Sequence, residues 1–348
     1  MHLNRLLVLI PCTLVLLLTS MATSIALVAG EFLPEPADAT SPSATLIAVG
    51  DIMLSRMVMR RLARPPEATY PFTYVDAHLQ SADAVFANLE TPVTEGELIP
   101  TTSMKFRAEP GVEHILAGHN IRLISLANNH MLDQMKEGLM RTVELLQQAT
   151  IVTSGAGANK TDAYAPTYMN VNGIRVALLA YVDSNFAPTY YRATNTSPGM
   201  AVMNRDAMQT AMKEAQEHAD IILVSIHSGN EYTQTITSTQ RNFSRAAIDA
   251  GADIVIGHHP HVIQERELRD GKPIYYSLGN FVFDQLWSDE TRRGMMLKLT
   301  ITKDAITHIE HIPVYIDTDY QPRLIEGLKS KQMIERLKIV EEKAVHVL

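Results

Sequence analysis

The sequence predicts an α/β fold, with a largely parallel core sheet, helices on the outside and antiparallel strands toward the C-terminus. Three observations predict it. Short apolar runs rich in β-branched residues alternate with stretches of helical spacing, the pattern of successive βα units. Five of those runs end in polar residues able to do chemistry: Asp51, then Asn88 and Glu90, then Asn128-Asn129-His130, then His227, then His258-His259-His261. In open α/β sheets, sites gather beyond the carboxyl ends of the strands. Late in the chain, Arg269-Asp270-Gly271-Lys272 separates two apolar runs, and Asp-Gly in that setting signals a hairpin.

The elements follow in order. Arg5 precedes an apolar stretch from Leu6 to Gly30, about 25 residues or roughly 37 Å as a helix. That length predicts a hydrophobic N-terminal helix over residues 1–30, as an uncleaved signal-anchor. Ser24, Ala26, Ala29 and Gly30 also permit a cleaved signal peptide. Arg5 in front and Glu31 behind place the remainder outside the cytoplasm: anchored to the membrane, or secreted if cleaved. Residues 31–44 carry Pro34, Pro36 and Pro42 and read as a tether. The main domain is expected over 45–318.

Within it, Thr45–Val49 and Ala84–Ala87 read as strands, with helical spacing at Met57–Leu62 and Val75–Leu79 between them. Pro110 to Ala117 reads as a helix that opens on proline and stops at Gly118. Ile121–Ala127 is a predicted strand. Asp133–Ala149 is an amphipathic helix with Leu139, Val143 and Leu146 on one face. Strands are expected at Ile174–Val182 and Ile221–Ile226, with a helix over Arg205–Ala219 between them. Ser238 is placed to cap a helix that runs to Ala250 and closes at Gly251. The run Asp253–Ile256 then reads as a buried strand, after which Gly257 lets the chain turn sharply. Val262–Leu268 and Pro273–Ser277 flank the hairpin, and Met295–Thr300 and His308–Ile316 add two strands. The charged tail, 319–348, reads as roughly helical and peripheral.

Composition excludes some functions. With 46% hydrophobic and 20% charged residues the bulk is globular, and a net charge of −8 argues against a nucleic-acid surface. The single cysteine, Cys12, lies in the apolar N-terminal run, so no intramolecular disulfide forms and no thiolate serves a site in the domain. A metal would therefore draw on His, Asp, Glu and Asn, which favours Mn, Fe, Zn, Co or Ni over a cysteine-held structural zinc.

Three of the 13 histidines fall within four residues, at Gly257-His258-His259-Pro260-His261. A lone histidine reads as an ordinary loop or core residue; three at a strand end read as metal ligands. Combined with Asp51, Glu90, Asn129 and His227 they give the carboxylate, amide and imidazole mixture that one or two divalent cations require. Such cations activate a water and bind phosphoryl oxygens. His130 is the candidate acid for a leaving group, with Asp133 as its orienter. Arg56 is either a clamp for an anionic substrate or a surface arginine.

Six stretches then carry a resemblance. Gly50-Asp51-Ile52-Met53-Leu54-Ser55-Arg56, Asn88-Leu89-Glu90-Thr91-Pro92, Ala127-Asn128-Asn129-His130, His227-Ser228-Gly229-Asn230-Glu231-Tyr232, Gly257-His258-His259-Pro260-His261 and Tyr276-Ser277-Leu278-Gly279-Asn280-Phe281 resemble the signature set of the CapA family. These are capsule-synthesis proteins linked to poly-γ-glutamate production, with a fold similar to the calcineurin-like metallophosphoesterases. The likeness runs from Thr45 to Ile316. It implies a layered-sheet domain in which Asp51, Asn129, His227, His259 and His261 bind metal and His130 is the acid. Glu90, or Asn88, stands where the superfamily has its bridging aspartate. Met53 stands where it has a histidine, so one terminal ligand is expected to be missing or supplied by another group. His258 is an extra histidine at the rim of the metal set. Glu231 and Asn280 are candidates for substrate contact or packing.

The implied function is synthesis or export of an anionic envelope polymer, with the membrane, synthase subunits and the polymer or a phosphoester as partners. Two versions stay open: a metal-dependent hydrolase of phosphoester or amide bonds, or a non-catalytic subunit that binds metal or polymer.

Overall fold

Strands that are apolar on both faces need cover on both, and that requirement sets the architecture. The computed structural model describes residues 42–64, 70–336 and 339–341. In it the strand Ala44–Ile52 buries Leu46 and Ala48 on one face and Ile47 and Val49 on the other. It lies inside an eight-stranded sheet, between Arg293–Ile301 and Ala84–Leu89. That sheet continues through Ile121–Ser125 to Val152–Ser154 on one side and through Ile306–Ile316 to Pro322–Leu324 on the other. A seven-stranded sheet runs from Thr167–Val171 through Ile174–Val182, Ile221–His227, Ile254–His258, Lys272–Tyr275 and Arg266–Arg269 to Ile339–Glu341.

The two sheets pack face to face. Leu46, Phe86 and Leu123 of the first share one apolar cluster with Ile174, Leu178, Leu223 and Ile256 of the second. Helices cover the outer faces. Leu116, Leu139 and Leu146, from the helices Val112–Gly118 and Met135–Gln148, pack on the eight-stranded sheet. Met208, Met212, Phe243 and Ala247, from Arg205–His218 and Ser238–Asp249, pack on the other. The order is helix, sheet, sheet, helix. The layered α/β expectation holds, with both sheets mixed in direction and not one parallel core followed by antiparallel strands.

Several expected boundaries move for local reasons. Pro110 does not start its helix; Gly111, at φ 109°, is the N-cap and the helix begins at Val112. The helix after Thr237 is capped by Thr237 and not Ser238, through a capping box with Gln240. The Asp-Gly hairpin is present, with both Asp270 (φ 51°) and Gly271 (φ 75°) left-handed and Arg266–Arg269 antiparallel to Lys272–Tyr275. Part of the tail forms the helix Gly327–Arg336, but Ile339–Glu341 is a strand beside Arg266–Arg269. The N-terminal helix and most of the tether lie outside the described residues. Among the described residues no helix is long and apolar enough to cross a membrane.

Gly257 is also corrected. It makes no sharp turn but continues the strand Ile254–His258. Its small size serves a close approach: a Cβ there would stand 2.0 Å from the carbonyl oxygen of Tyr276. Gly50 does the same in the other sheet, where a Cβ would stand 2.0 Å from the carbonyl oxygen of Gly279. Both glycines meet one segment. The chain leaves Lys272–Tyr275 in the seven-stranded sheet, crosses at Tyr276–Gly279, and enters Asn280–Val282, which pairs with Ala44–Ile52 in the eight-stranded sheet. This crossing brings the ends of the two sheets together.

Candidate metal centre

The parallel register of the strands aligns their polar ends. Asp51 pairs with Asn88 on one side and Asn280 on the other, and His227 pairs with His258. All five are buried. Asp51 gathers the neighbourhood. Its Oδ1 accepts from Asn88 Nδ2 and meets His258 Nδ1, both at 2.9 Å, while its Oδ2 accepts from the His259 amide at 3.2 Å and lies 3.5 Å from His261 Nδ1. His227 Nε2 meets Asn129 Oδ1 at 2.8 Å. His261 Nδ1 meets Asn280 Oδ1 at 2.9 Å, so Asn280, in the crossing segment, orients a histidine.

Glu90 is the acid of this cluster that is left unsatisfied. It is fully buried, and neither carboxylate oxygen has a hydrogen-bond partner. Its Oε1 lies 3.8 Å from His130 Nε2, 3.9 Å from His227 Nε2 and 3.9 Å from His261 Nε2. Two ligands of one ion, at bonds of about 2.0–2.2 Å, stand no more than about 4.4 Å apart. Donors of Glu90, His227 and His259 lie within 4.8 Å of one another, as do those of Asp51, Glu90 and His261. Buried polar atoms without partners are costly, and an oxygen that faces three imidazole nitrogens is able to hold a cation. His258 Nε2 and His259 Nδ1 are likewise buried without partners.

The electrostatics agree. Burial, then the charges of Asp51, Glu231 and Asp133, push Glu90 well above the ordinary carboxylate range, with Arg56 opposing. Burial works against ionised Asp51 too, but bonds and charge from His258 and His261 outweigh it and hold Asp51 well below its usual value. Burial, reinforced by His259, holds His227 well below the ordinary histidine range. Burial, reinforced by His261, pulls His259 down to about 3. Neutral imidazole is the form that binds metal. His259 (φ 97°) and His261 (φ 57°) also carry left-handed backbone that non-glycine residues rarely adopt.

His130 sits beside this set. Its Nδ1 meets Asp133 Oδ2 at 2.7 Å, and its ring stacks on Phe106 at 3.9 Å. The same Asp133 oxygen accepts the Phe106 amide at 2.7 Å. Ring and carboxylate are thus locked, with Nε2 turned toward Glu90. Arg56 is neither a free clamp nor a surface arginine. Its guanidinium pairs with Asp284 and donates to the carbonyl of Ser103. No pattern in the sequence links Arg56 to a partner 228 residues away.

The family described as bacterial capsule synthesis protein PGA_cap matches residues 45–285. The chain belongs to that family. It is 33% identical to the PGA biosynthesis protein CapA of Bacillus subtilis, over 83% of this chain and 76% of that one. It is 31% identical to the capsule biosynthesis protein CapA of Bacillus anthracis, over 84% and 72%. Among solved structures it is similar to the calcineurin-like phosphoesterase YfkN of Bacillus subtilis, at 12% identity and a TM-score of 0.47, over 85% of this chain and 97% of that one. So distant a likeness leaves the site chemistry to be argued from the side chains.

Two departures noted in the sequence have physical answers in this PGA_cap chain. Met53 is fully buried and its sulfur accepts the amide of Ser55 at 3.0 Å, so it is occupied with its own turn. Asn88 spends its amide on Asp51 and Asn128, whereas Glu90 keeps two oxygens without partners. Of the two, Glu90 is the one with oxygens left to offer a cation.

Proposed function

We propose that the strand-end cluster holds one or two divalent cations and that the domain is a metal-dependent hydrolase of phosphoester or amide bonds. It would serve synthesis or export of an anionic envelope polymer of the poly-γ-glutamate kind, outside the cytoplasm, with residues 1–30 as anchor or signal. The observation that carries the reading is Glu90: a buried carboxylate with no partner, facing three imidazole nitrogens. Family membership supports the biological setting.

Glu90, His227, His259, Asp51 and His261 would hold the metal, with Asn129 beside His227. Bound cations at such a centre supply Lewis acidity toward a phosphoryl or carbonyl oxygen and a water of lowered pKa. The chain's own residues do the rest. Asp133 fixes the His130 ring through Nδ1. His130 Nε2 is then aimed at the centre to give a proton to the departing oxygen or nitrogen as the bond to phosphorus or carbon breaks. Phe106 covers one face of that ring and keeps water from it.

The test uses the full chain with measured metal content and a chromogenic phosphodiester supplied with Mn²⁺. Turnover that falls a hundredfold or more in His130→Ala, with metal retained, is the expected result. Bound metal without turnover on a broad substrate panel would favour a non-catalytic, polymer-binding subunit.

A further inference from the structure

The turn after His227 carries two exposed side chains with different neighbours. Glu231 stays with the metal centre: a carboxylate oxygen lies within 4.8 Å of donors of His259 and His261. Tyr232 begins a surface that runs outward. Its ring lies nearly parallel to His261 at 5.9 Å, and the Trp287 ring meets it edge-on at 5.5 Å. Tyr232 is 46% exposed and Trp287, the one tryptophan of the chain, 63%. Two large rings open to water beside a polar centre make a surface that a ligand can cover.

Both rings stand on fixed backbone. The Tyr232 amide donates to the carbonyl of Pro260 at 2.9 Å, and its hydroxyl accepts from Gln285 Nε2 at 3.2 Å. Gln285 in turn accepts from Asn280, the residue that orients His261. Trp287 lies in the turn that follows Gln285. There the buried Thr291 donates through Oγ1 to the carbonyl of Gln285 at 2.8 Å and through its amide to Ser288 Oγ at 3.1 Å. Its carbonyl accepts from Asn280 at 2.9 Å. Backbone held in this way has little freedom left to lose when a ligand packs on the rings it carries.

The same turn leads into a cavity of about 630 Å³. Asp289, two residues after Trp287, lines it together with Arg293, Arg323 and Lys329. Asp289 is taken up by Arg293 and by the Tyr315 hydroxyl. Arg323 pairs with Asp317 and lies over the Tyr74 ring. Lys329 is exposed and has no ion-pair partner among the described residues. Three cations against Asp289 and Glu326 give this lining a positive balance, in a chain whose net charge is −8. A cation-binding centre, two exposed rings and a basic cavity follow one another, and a long acidic chain matches that order. Its carboxylates meet the charges, and its methylene and planar amide groups pack on the rings. We infer that Tyr232, Trp287 and the cavity of Arg293, Arg323 and Lys329 form a track for an acidic, amide-linked chain leading to the metal centre. The inference rests on the proposed function and adds how the polymer is held beyond the bond that reacts.

The experiment titrates a short oligomer of γ-linked glutamate into the full chain supplied with Mn²⁺, with metal content measured alongside. Because Trp287 is the only tryptophan, intrinsic emission reports the track alone, and calorimetry gives the affinity. A saturable blue shift is expected in the wild type. Affinity should fall about tenfold or more in Trp287→Ala and return to within about threefold of wild type in Trp287→Phe. Lys329→Gln should cost about threefold at low salt and less at high salt. A neutral oligomer of γ-linked glutamine should bind about tenfold more weakly than the acidic one. Oligomer binding without an emission shift, wild-type affinity in Trp287→Ala, or equal affinity for the neutral oligomer would overturn the track. So would a shift caused by anionic phospholipid vesicles and not by the oligomer. Bound Mn²⁺ with no oligomer binding would overturn the track and leave the metal centre standing. The expected shift in a chain that takes up no Mn²⁺ would support the track and overturn the metal centre.

Discussion

The two sheets bring different chemistry to one place. From strand ends of the eight-stranded sheet come Asp51, Asn88, Glu90 and Asn129, which are carboxylates and amides; from those of the seven-stranded sheet come His227, His258, His259 and His261, all imidazoles. The donor groups that include Glu90 draw on both sheets. The acids would repel one another, and their burial already lifts Glu90 well above its ordinary range. The histidines would stay neutral without a charge to balance a metal. Below this layer the same faces meet as plain hydrocarbon, Leu46 and Phe86 against Leu178 and Leu223. The difference teaches that the apolar layer holds the sheets at a fixed distance and the polar layer uses that distance. A bound ion should act as a staple between sheets.

The strongest way to break that pairing is at the crossing segment. Gly50→Ala and Gly257→Ala each force a Cβ onto a backbone oxygen, one on each sheet. Each should lower the stability of the metal-stripped protein by about 3 kcal/mol or more in urea unfolding. A loss under about 1 kcal/mol at either position would mean the segment yields and does not set the spacing.

A smaller effect sharpens the acid side. Glu90→Gln should weaken metal binding a hundredfold or more, yet stabilise the metal-free protein by about 1–3 kcal/mol, because a neutral amide escapes the cost of a buried, unpaired carboxylate. The pH dependence has a definite sign. Glu90's folded pKa is raised well above the ordinary glutamate value of 4.5. From pH 4.5 upward the folded state therefore holds a proton that the unfolded state has released, and stability falls as pH rises. The advantage of Glu90→Gln should thus be near zero at pH 4.5 and grow toward pH 8. An advantage independent of pH would show that the buried charge is not its source.

The smallest effect concerns orientation. Asp133→Asn keeps the hydrogen-bond partner of His130 but removes the charge. Turnover of a phosphodiester should drop about tenfold to a hundredfold with metal content unchanged. A loss of metal in the same variant would place Asp133 in the structure of the centre and not behind its acid.

How far this was legible in the sequence follows from what local pattern encodes. Polar clusters after β-branched runs gave the strand ends, and the strand ends converge because parallel register lines them up. Those clusters contain Asp51, Glu90, Asn129, His227, His259 and His261, which the family resemblance singles out, and their side chains meet in one cluster. Three things could not be read. Gly257 looked like a turn because glycine permits one; only the opposing Tyr276 carbonyl shows that its smallness is what matters. Asn280 and Tyr276–Gly279 carried no ligand pattern, because their work is to cross between sheets and to orient His261 from 19 residues away. The partner of Arg56, Asp284, was equally invisible, since an ion pair across the fold leaves no spacing in the chain.

The most direct test of a metal centre shared between the sheets is anomalous diffraction from crystals of the Mn²⁺-loaded full chain. The expected result is a peak bonded to Glu90 from one sheet and to His227 and His259 from the other, at about 2.0–2.3 Å. A peak elsewhere, or donors from one sheet alone, would contradict the account.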